Sequence, residues 1–332
     1  MSTLDTPTAA GGRRQLPAAL GRFLRSNEAS LIGVLVVLWL VLGVTYDPFF
    51  TGHNMANILR DISLIGIVGV GMTMVIITGG IDVSAGSALA VCSVLIGQSL
   101  HAGQPTAVAV LIGVAAGALL GLFNGLLVAY GRIHPIIVTF GTLNLFRFVS
   151  YQLTGGNWVT GLRSSLHDLG VGTLLGLPVS WWLTMLLAVL GGLYLRHRPT
   201  GRHLYALGSN SETARLSGVN IPRRHIAVYT LTGLLVGIAA LVFVGRNGGV
   251  QTNVGTGFEL QVIAAVVLGG TSILGGKGTV LGTLLGALLV GTVANALTIT
   301  GAPALLEGLF LGLLIVAAVG VDILRQRRRT AA

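Results

Sequence analysis

Gly269-Gly270-Thr271-Ser272-Ile273-Leu274-Gly275-Gly276-Lys277-Gly278-Thr279 joins two apolar runs, one reaching back to Phe258 and the other on to Ile299. A glycine-rich break of this kind lets backbones pack closely and bend inside or beside a bilayer. A moving transport pathway needs such a break, whereas an inert anchor does not. The stretch points to a transporter.

The surrounding composition agrees. Of 332 residues, 53% are hydrophobic and only 9% are charged, with a mean hydropathy of +0.85. A soluble fold would have to bury more apolar surface than its volume allows. Fifty glycines would weaken soluble helices, yet in a bilayer they let helices approach without a hydrophobic force between them. An all-α polytopic bundle follows. The net charge of +10 would suggest nucleic acid in a soluble protein. Here the arginines sit at segment ends and in one polar stretch, a topology signal that also meets anionic lipid headgroups, so no nucleic-acid partner is expected. The sole cysteine, Cys92, lies in an apolar run and says little about redox compartment.

Apolar runs long enough to span number about ten. Their cores are 30–46, 62–78, 84–100, 106–130, 135–153, 180–195, 226–245, 258–273, 280–299 and 303–321. The fifth carries Arg147 and the eighth is short, so either fits a broken or re-entrant segment. An even count puts both termini on one side. Placing them in the cytoplasm assigns inward Arg13, Arg14, Arg22, Arg25, Arg132, the arginines between 196 and 224, Lys277 and the arginines of 325–329. Only Arg60, Arg147, Arg163 and Arg246 remain outside or in the membrane, as the positive-inside rule requires. The expected domains are a cytoplasmic tail over 1–28, a membrane domain over 29–324 and a basic cytoplasmic tail over 325–332. Residues 1–28 carry no cleavage site after the first apolar run and read as a retained tail.

The inside loop 197–225 is too polar to span and too short to be a domain. Within it, Asn210-Ser211-Glu212-Thr213-Ala214-Arg215-Leu216 has a capping residue, an early acid and helix formers, which predicts a short cytoplasmic helix. The outside loop 154–177 carries Trp158, with Trp181 and Trp182 just beyond it, in the manner of an interfacial belt. Gly79-Gly80-Ile81-Asp82-Val83-Ser84-Ala85-Gly86-Ser87 echoes the later glycine stretch, and both fall on the inner side, which would suit a parallel repeat.

Catalytic signatures are missing. Gly278 follows Gly276-Lys277 where a phosphate-binding loop requires Ser or Thr, and the seven histidines lack metal-ligand spacing. No enzymatic chemistry and no bound metal or cofactor are expected of this chain. Its acids lie at span edges or in loops, so energy for uphill movement must come from elsewhere. A short cytoplasmic helix is a plausible knob for an external motor.

Three blocks carry a resemblance: Thr78 to Ser87; Phe123-Asn124-Gly125 through Pro135, Thr139, Gly141-Thr142 and Arg147; and Leu268 to Thr279 continuing into Gly282-Thr283 and Gly286-Ala287. With Gly201-Arg202, Ala206 to Asn210, Glu212-Thr213-Ala214 and Gly218 between them, the chain resembles the permeases of ribose-type ABC sugar importers. The match runs from Asn57 to Val321 and departs at His134 and Phe148; Thr154 to Leu162 looks closer to permeases for rhamnose or autoinducer-2. The resemblance implies an inner-membrane bundle working as a homodimer or heterodimer, a cytoplasmic ATPase that uses ATP and Mg, and a periplasmic or lipid-anchored sugar-binding protein. It also implies import of a neutral sugar by alternating access. Branched-chain amino acid import and an ATP-independent carrier are the rival readings.

On this reading Glu212, Ala214, Arg215 and Gly218 meet the ATPase. Gly79, Gly80, Asp82, Gly269, Gly270, Gly275 and Gly276 serve as hinge or packing elements, Asp82 also suiting the start of the third span. Asn124, Thr139, Asn144, Arg147, Glu259 and Asn295 are polar groups in or near apolar runs. They either line a path for hydroxyl-rich solutes or hydrogen-bond between helices, with Glu259 a candidate counter-ion for Arg147.

Overall fold

The computed structural model describes residues 27–162, 165–251, 253–303 and 305–330. Nearly all of the tail expected over 1–28, and Arg163, lie outside the described residues. The chain forms helices α1 (Asn27–Thr45), α2 (Gly52–Ile77), α3 (Ala85–His101), α4 (Thr106–Gly131), α5 (Pro135–Thr154) and α6 (Leu166–Gly170). A small hairpin, β1 (Thr173–Leu174) and β2 (Leu177–Pro178), precedes α7 (Val179–His197), α8 (Pro199–Ser209), α9 (Ser211–Leu216) and α10 (Ile221–Asn247). The last three helices are α11 (Phe258–Leu268), α12 (Val280–Ile299) and α13 (Leu305–Thr330).

Each apolar run of the sequence becomes a helix, but the expected ten full spans are not all there by length. Among the described residues seven helices, α1, α2, α4, α5, α7, α10 and α12, are long and apolar enough to cross a membrane. The others, α3, α11 and the apolar part of α13 (Leu305–Ala317), are shorter. At a rise of about 1.5 Å per residue, α11 covers about 16 Å, roughly half of a hydrocarbon core. By contrast the fifth run, despite Arg147, is one unbroken helix started by Pro135 and ended by Gly155 in the left-handed region. Loop 154–177, expected as irregular, holds α6 and half of the hairpin, and Trp182 donates from Nε1 to Leu174 O to fasten that hairpin to α7. The loop 197–225 contains α9 where a helix was expected, capped by Asn210 Oδ1 accepting from Thr213 N at 2.9 Å, and also α8 before it.

The bundle is built around α2. Its most apolar stretch is 83% buried, against 17% for α1, and it packs on α7, α10, α11 and α12. Threonines tie these neighbours: Thr73 and Thr283 hydroxyls share a 2.6 Å hydrogen bond between α2 and α12, and Thr184 Oγ1 donates to Ser63 O between α7 and α2. The tightest pair is α4 with α10. Gly113, Gly117 and Gly121 face Gly233 and Gly237, and a Cβ on Gly117 would lie 2.2 Å from Gly233 O. Backbones this close give van der Waals contact that no larger residue permits.

Gly117→Ala is therefore expected to destabilise the bundle by about 1–3 kcal/mol through overpacking. Gly141→Ala, where the added carbon meets open space on α5, is expected to be neutral or mildly stabilising. Thermal unfolding in detergent separates the two, and equal melting would remove glycine contact as the basis of the α4–α10 pair.

Candidate functional site

Helix polarity sorts the functional residues to two ends of the bundle. At the near end lie the C-terminus of α2, both glycine segments and the 197–225 loop. Here three stretches of backbone meet. Gly276 N donates to Ile77 O at 2.9 Å. A Cβ on Gly208, at the end of α8, would fall 1.8 Å from Ile77 O and 2.6 Å from Gly276 N, and one on Gly275 would fall 2.9 Å from Gly208 O and 3.0 Å from Gly79 N. Gly79, Gly270, Gly275 and Gly276 have positive φ, the conformation that bends the chain here. Tyr205 Oη on α8 donates to Gly278 O at 2.9 Å. Gly269 packs on Gly282 of α12. The polar loop helix α8 thus meets the end of α2 and the second glycine segment, which itself touches the first at Gly79.

The first segment is fixed by a buried polar set. Asp82 Oδ1 accepts from Ser84 N at 2.9 Å and from Ser84 Oγ at 2.6 Å, so Asp82 folds the turn ahead of α3 while Ser84 takes the capping position itself. Asn124 Nδ2 of α4 donates to Ser84 Oγ at 2.8 Å, and Thr139 Oγ1 of α5 donates to Ile81 O at 2.9 Å. Asn124 and Thr139, grouped in sequence with a solute path, are engaged in interhelical bonding here. Asn144 is exposed on α5 and bonds to Phe140 O of its own helix.

On α9, Glu212 and Arg215 pair at 3.0 and 2.5 Å on an exposed face. That hydrogen bond holds the Glu212 carboxyl below the usual range, so the pair is ionised at neutral pH. Ala214 is buried beneath it, and Gly218, with a φ of 83°, ends the helix.

The far end is different in kind. Between α10 and α11 the chain is not helical: Val250 lies against Gly97 and Gly255 against Gly86, so the segment descends about 16 Å along α3. Non-helical backbone at such depth is tolerated only where protein buries it or where it lines a cavity. Arg147, half-buried, donates to Val254 O at 2.5 Å and pins the descent. Glu259, in the first turn of α11, lies against Gly86; it is near enough to Arg147 for the two charges to attract, as expected of a counter-ion, although they make no direct ion pair among the described residues.

Beside this segment a cleft of about 530 Å³ opens between α2, α10, α11, α12 and α13. Asn54 and Asn295 exchange hydrogen bonds of 3.1 and 2.8 Å across it. Gln261 Nε2 donates to Glu307 Oε1 at 2.6 Å, and Arg246 Nη1 meets Asp61 Oδ1 at 2.5 Å. Of the six path candidates only Asn295 lines this cleft. Asn54, Asn57 and Asp61 were passed over because the second apolar run begins at 62 and leaves them ahead of it. Their spacing of three and seven residues, which puts them on one helix face, was the available signal.

A multi-pass helical bundle with a solute-sized polar cleft at one end and closely packed glycine segments at the other has the build of a membrane transport permease. More particularly, the chain belongs to the family described as branched-chain amino acid transport system / permease component, which matches residues 54–319. It is 38% identical over 328 residues to the ribose import permease protein RbsC of Escherichia coli strain K12, covering 97% of this chain and 100% of that one. The corresponding Bacillus subtilis strain 168 protein is 38% identical over 291 residues, covering 87% and 90%. The autoinducer 2 import system permease protein LsrC of Salmonella typhi is 35% identical over 302 residues, covering 91% and 87%. No solved structure matches the chain.

Exchanging the charges of the cleft pair gives a direct check of its geometry. Asp61→Arg and Arg246→Asp alone are each expected to lower thermal stability, and the double variant to recover about 1 kcal/mol, a modest coupling because the pair is partly exposed. Additive losses in a double-mutant cycle would show that the two side chains do not interact.

Proposed function

We propose that this chain is the permease subunit of an ATP-binding-cassette importer that moves a neutral monosaccharide or sugar-like solute of the ribose, rhamnose or autoinducer-2 class. The observation that carries the mechanism is the seam of Gly208, Ile77, Gly79, Gly275 and Gly276. A push on α8 and α9 has a direct backbone route to both glycine segments and to the ends of α2 and α12. The names of the relatives, ribose and autoinducer 2 import permeases, support the solute class.

In this reading a cytoplasmic ATPase, using ATP and Mg, docks on the 197–225 loop through Glu212, Ala214, Arg215 and Gly218. A second permease subunit completes the transmembrane unit, and a periplasmic or lipid-anchored sugar-binding protein delivers solute to the far end. The membrane domain takes in 29–324, in the inner membrane of a bacterium, with both termini and the near end cytoplasmic. ATP-driven closure of the motors rocks the hinge, shutting the far cleft and opening a path at the near end.

Glu212→Ala combined with Gly218→Trp is expected to abolish ATPase association and ATP-driven uptake in proteoliposomes while leaving the bundle folded. Normal association and uptake would remove the loop from the coupling role. Orientation is tested separately. Cys92 is buried, so Ser217→Cys supplies the accessible thiol, and labelling of sealed cells by an impermeant maleimide would place the loop outside and overturn the topology. Uptake of leucine in place of any sugar would return the branched-chain amino acid reading.

A further inference from the structure

We infer that the far-end cleft is a recognition site for an uncharged, hydroxyl-bearing solute, with Gln261, Glu307 and Asn295 as the residues that set specificity. The inference deepens the importer reading and rests on it. Three features of the cleft lead to it.

The first is capacity. Its volume of about 530 Å³ falls within the range of small-molecule sites, which suits a monosaccharide and its waters. The second is unused hydrogen-bonding groups. Asn54 is saturated on its donor side, since Nδ2 donates both to Phe49 O and to Asn295 Oδ1. Asn295 donates one N–H to Asn54 and keeps the other. Gln261 donates one N–H to Glu307 and keeps a second N–H and its carbonyl oxygen, while Glu307 keeps Oε2. Free donors and free acceptors side by side match a hydroxyl, which both gives and takes a hydrogen bond.

The third is charge. Arg246, which would otherwise attract an anion, is already engaged by Asp61 at 2.5 Å, and the remaining acidic side chain lining the cleft is Glu307. A phosphate entering here meets the Glu307 carboxylate as like charge, and Arg60, which does not line the cleft, spends its Nη1 on Asn57 Oδ1 and its Nη2 on Val171 O. The cleft therefore favours neutral polyols, whose hydroxyls use the free donors and acceptors, over sugar phosphates and over solutes without hydroxyls. The amide pairs also join different helices, α2 to α12 and α11 to α13. A solute that takes up their free groups is in contact with α2, α11 and α12, which lead into the glycine seam at their other ends.

The test uses the assembled transporter in proteoliposomes, with D-ribose and its singly deoxygenated analogues as probes. Gln261→Met keeps the shape and removes the hydrogen bonds. It is expected to raise KM for D-ribose about three- to tenfold with little change in maximal rate, and to leave unchanged the KM of the analogue lacking the hydroxyl that Gln261 meets. An equal KM shift for every analogue, or a change in maximal rate alone, would overturn the assignment. A second measurement does not depend on turnover. With Cys92 buried, Gln261→Cys gives a thiol in the cleft, and D-ribose is expected to slow its maleimide labelling while leucine and ribose 5-phosphate do not. Protection by leucine or by the phosphate ester, or by none of the three, would overturn the recognition site. Failure of the importer reading is recognised apart from these outcomes, because the unsubstituted complex would then show no ATP-driven uptake of sugar.

Discussion

Contact between backbones at glycine is the interaction on which the rest of this structure depends. Lipid offers no hydrophobic force to drive helices together, so the bundle must gain its cohesion from van der Waals contact and from hydrogen bonds hidden between helices. At Gly117 against Gly233, Gly269 against Gly282 and Gly208 against Ile77, the added carbon of an alanine would overlap a carbonyl. The same absence of a side chain that permits close approach also permits positive φ, and at Gly79, Gly270, Gly275 and Gly276 the chain uses that freedom to turn. Close packing and sharp turning are one property seen at different places along the chain.

A second constraint shapes the far end. Every polar group that enters the bilayer needs a partner inside the protein. The descending segment before α11 meets this requirement through Gly255 against Gly86, the bridge between Val159 and Val250, and the Arg147 bond to Val254 O. Because α11 begins only after that descent, it is too short to span. The room left around its first turn is the polar cleft. The half-length helix and the cleft are consequences of one another, since exposed backbone at that depth is stable only where it borders a cavity or is packed by its own chain.

How legible this was in the sequence varies by residue. Glu212 in its short helix and the near-end position of both glycine segments were readable, because capping chemistry, helix propensity and positive-inside charge are local or additive properties. That the eighth run would fall short of a full-length helix was readable from its length. For Asn124 and Thr139 the sequence left a solute path and interhelical hydrogen bonding both open, because a polar side chain in an apolar run looks the same whether it faces a cavity or a neighbouring helix; in the structure both bond to neighbouring segments. Asp61 and Arg246, 185 positions apart, carry no mark in the sequence of being a pair.

By itself, then, the amino-acid sequence determined a membrane-embedded all-α chain, the approximate place of each helix and the polar loop available to a partner, since hydropathy, glycine content and cap residues act within a few turns of chain. Only the tertiary structure decided that α8 closes on the end of α2 and the second glycine segment, that Arg147 holds the backbone of Val254, and that Asn54, Asn295, Gln261 and Glu307 surround one cleft. Those are contacts between distant segments, fixed by which helix faces meet. In a bilayer that choice turns on small differences in shape and hydrogen bonding, which no periodicity records.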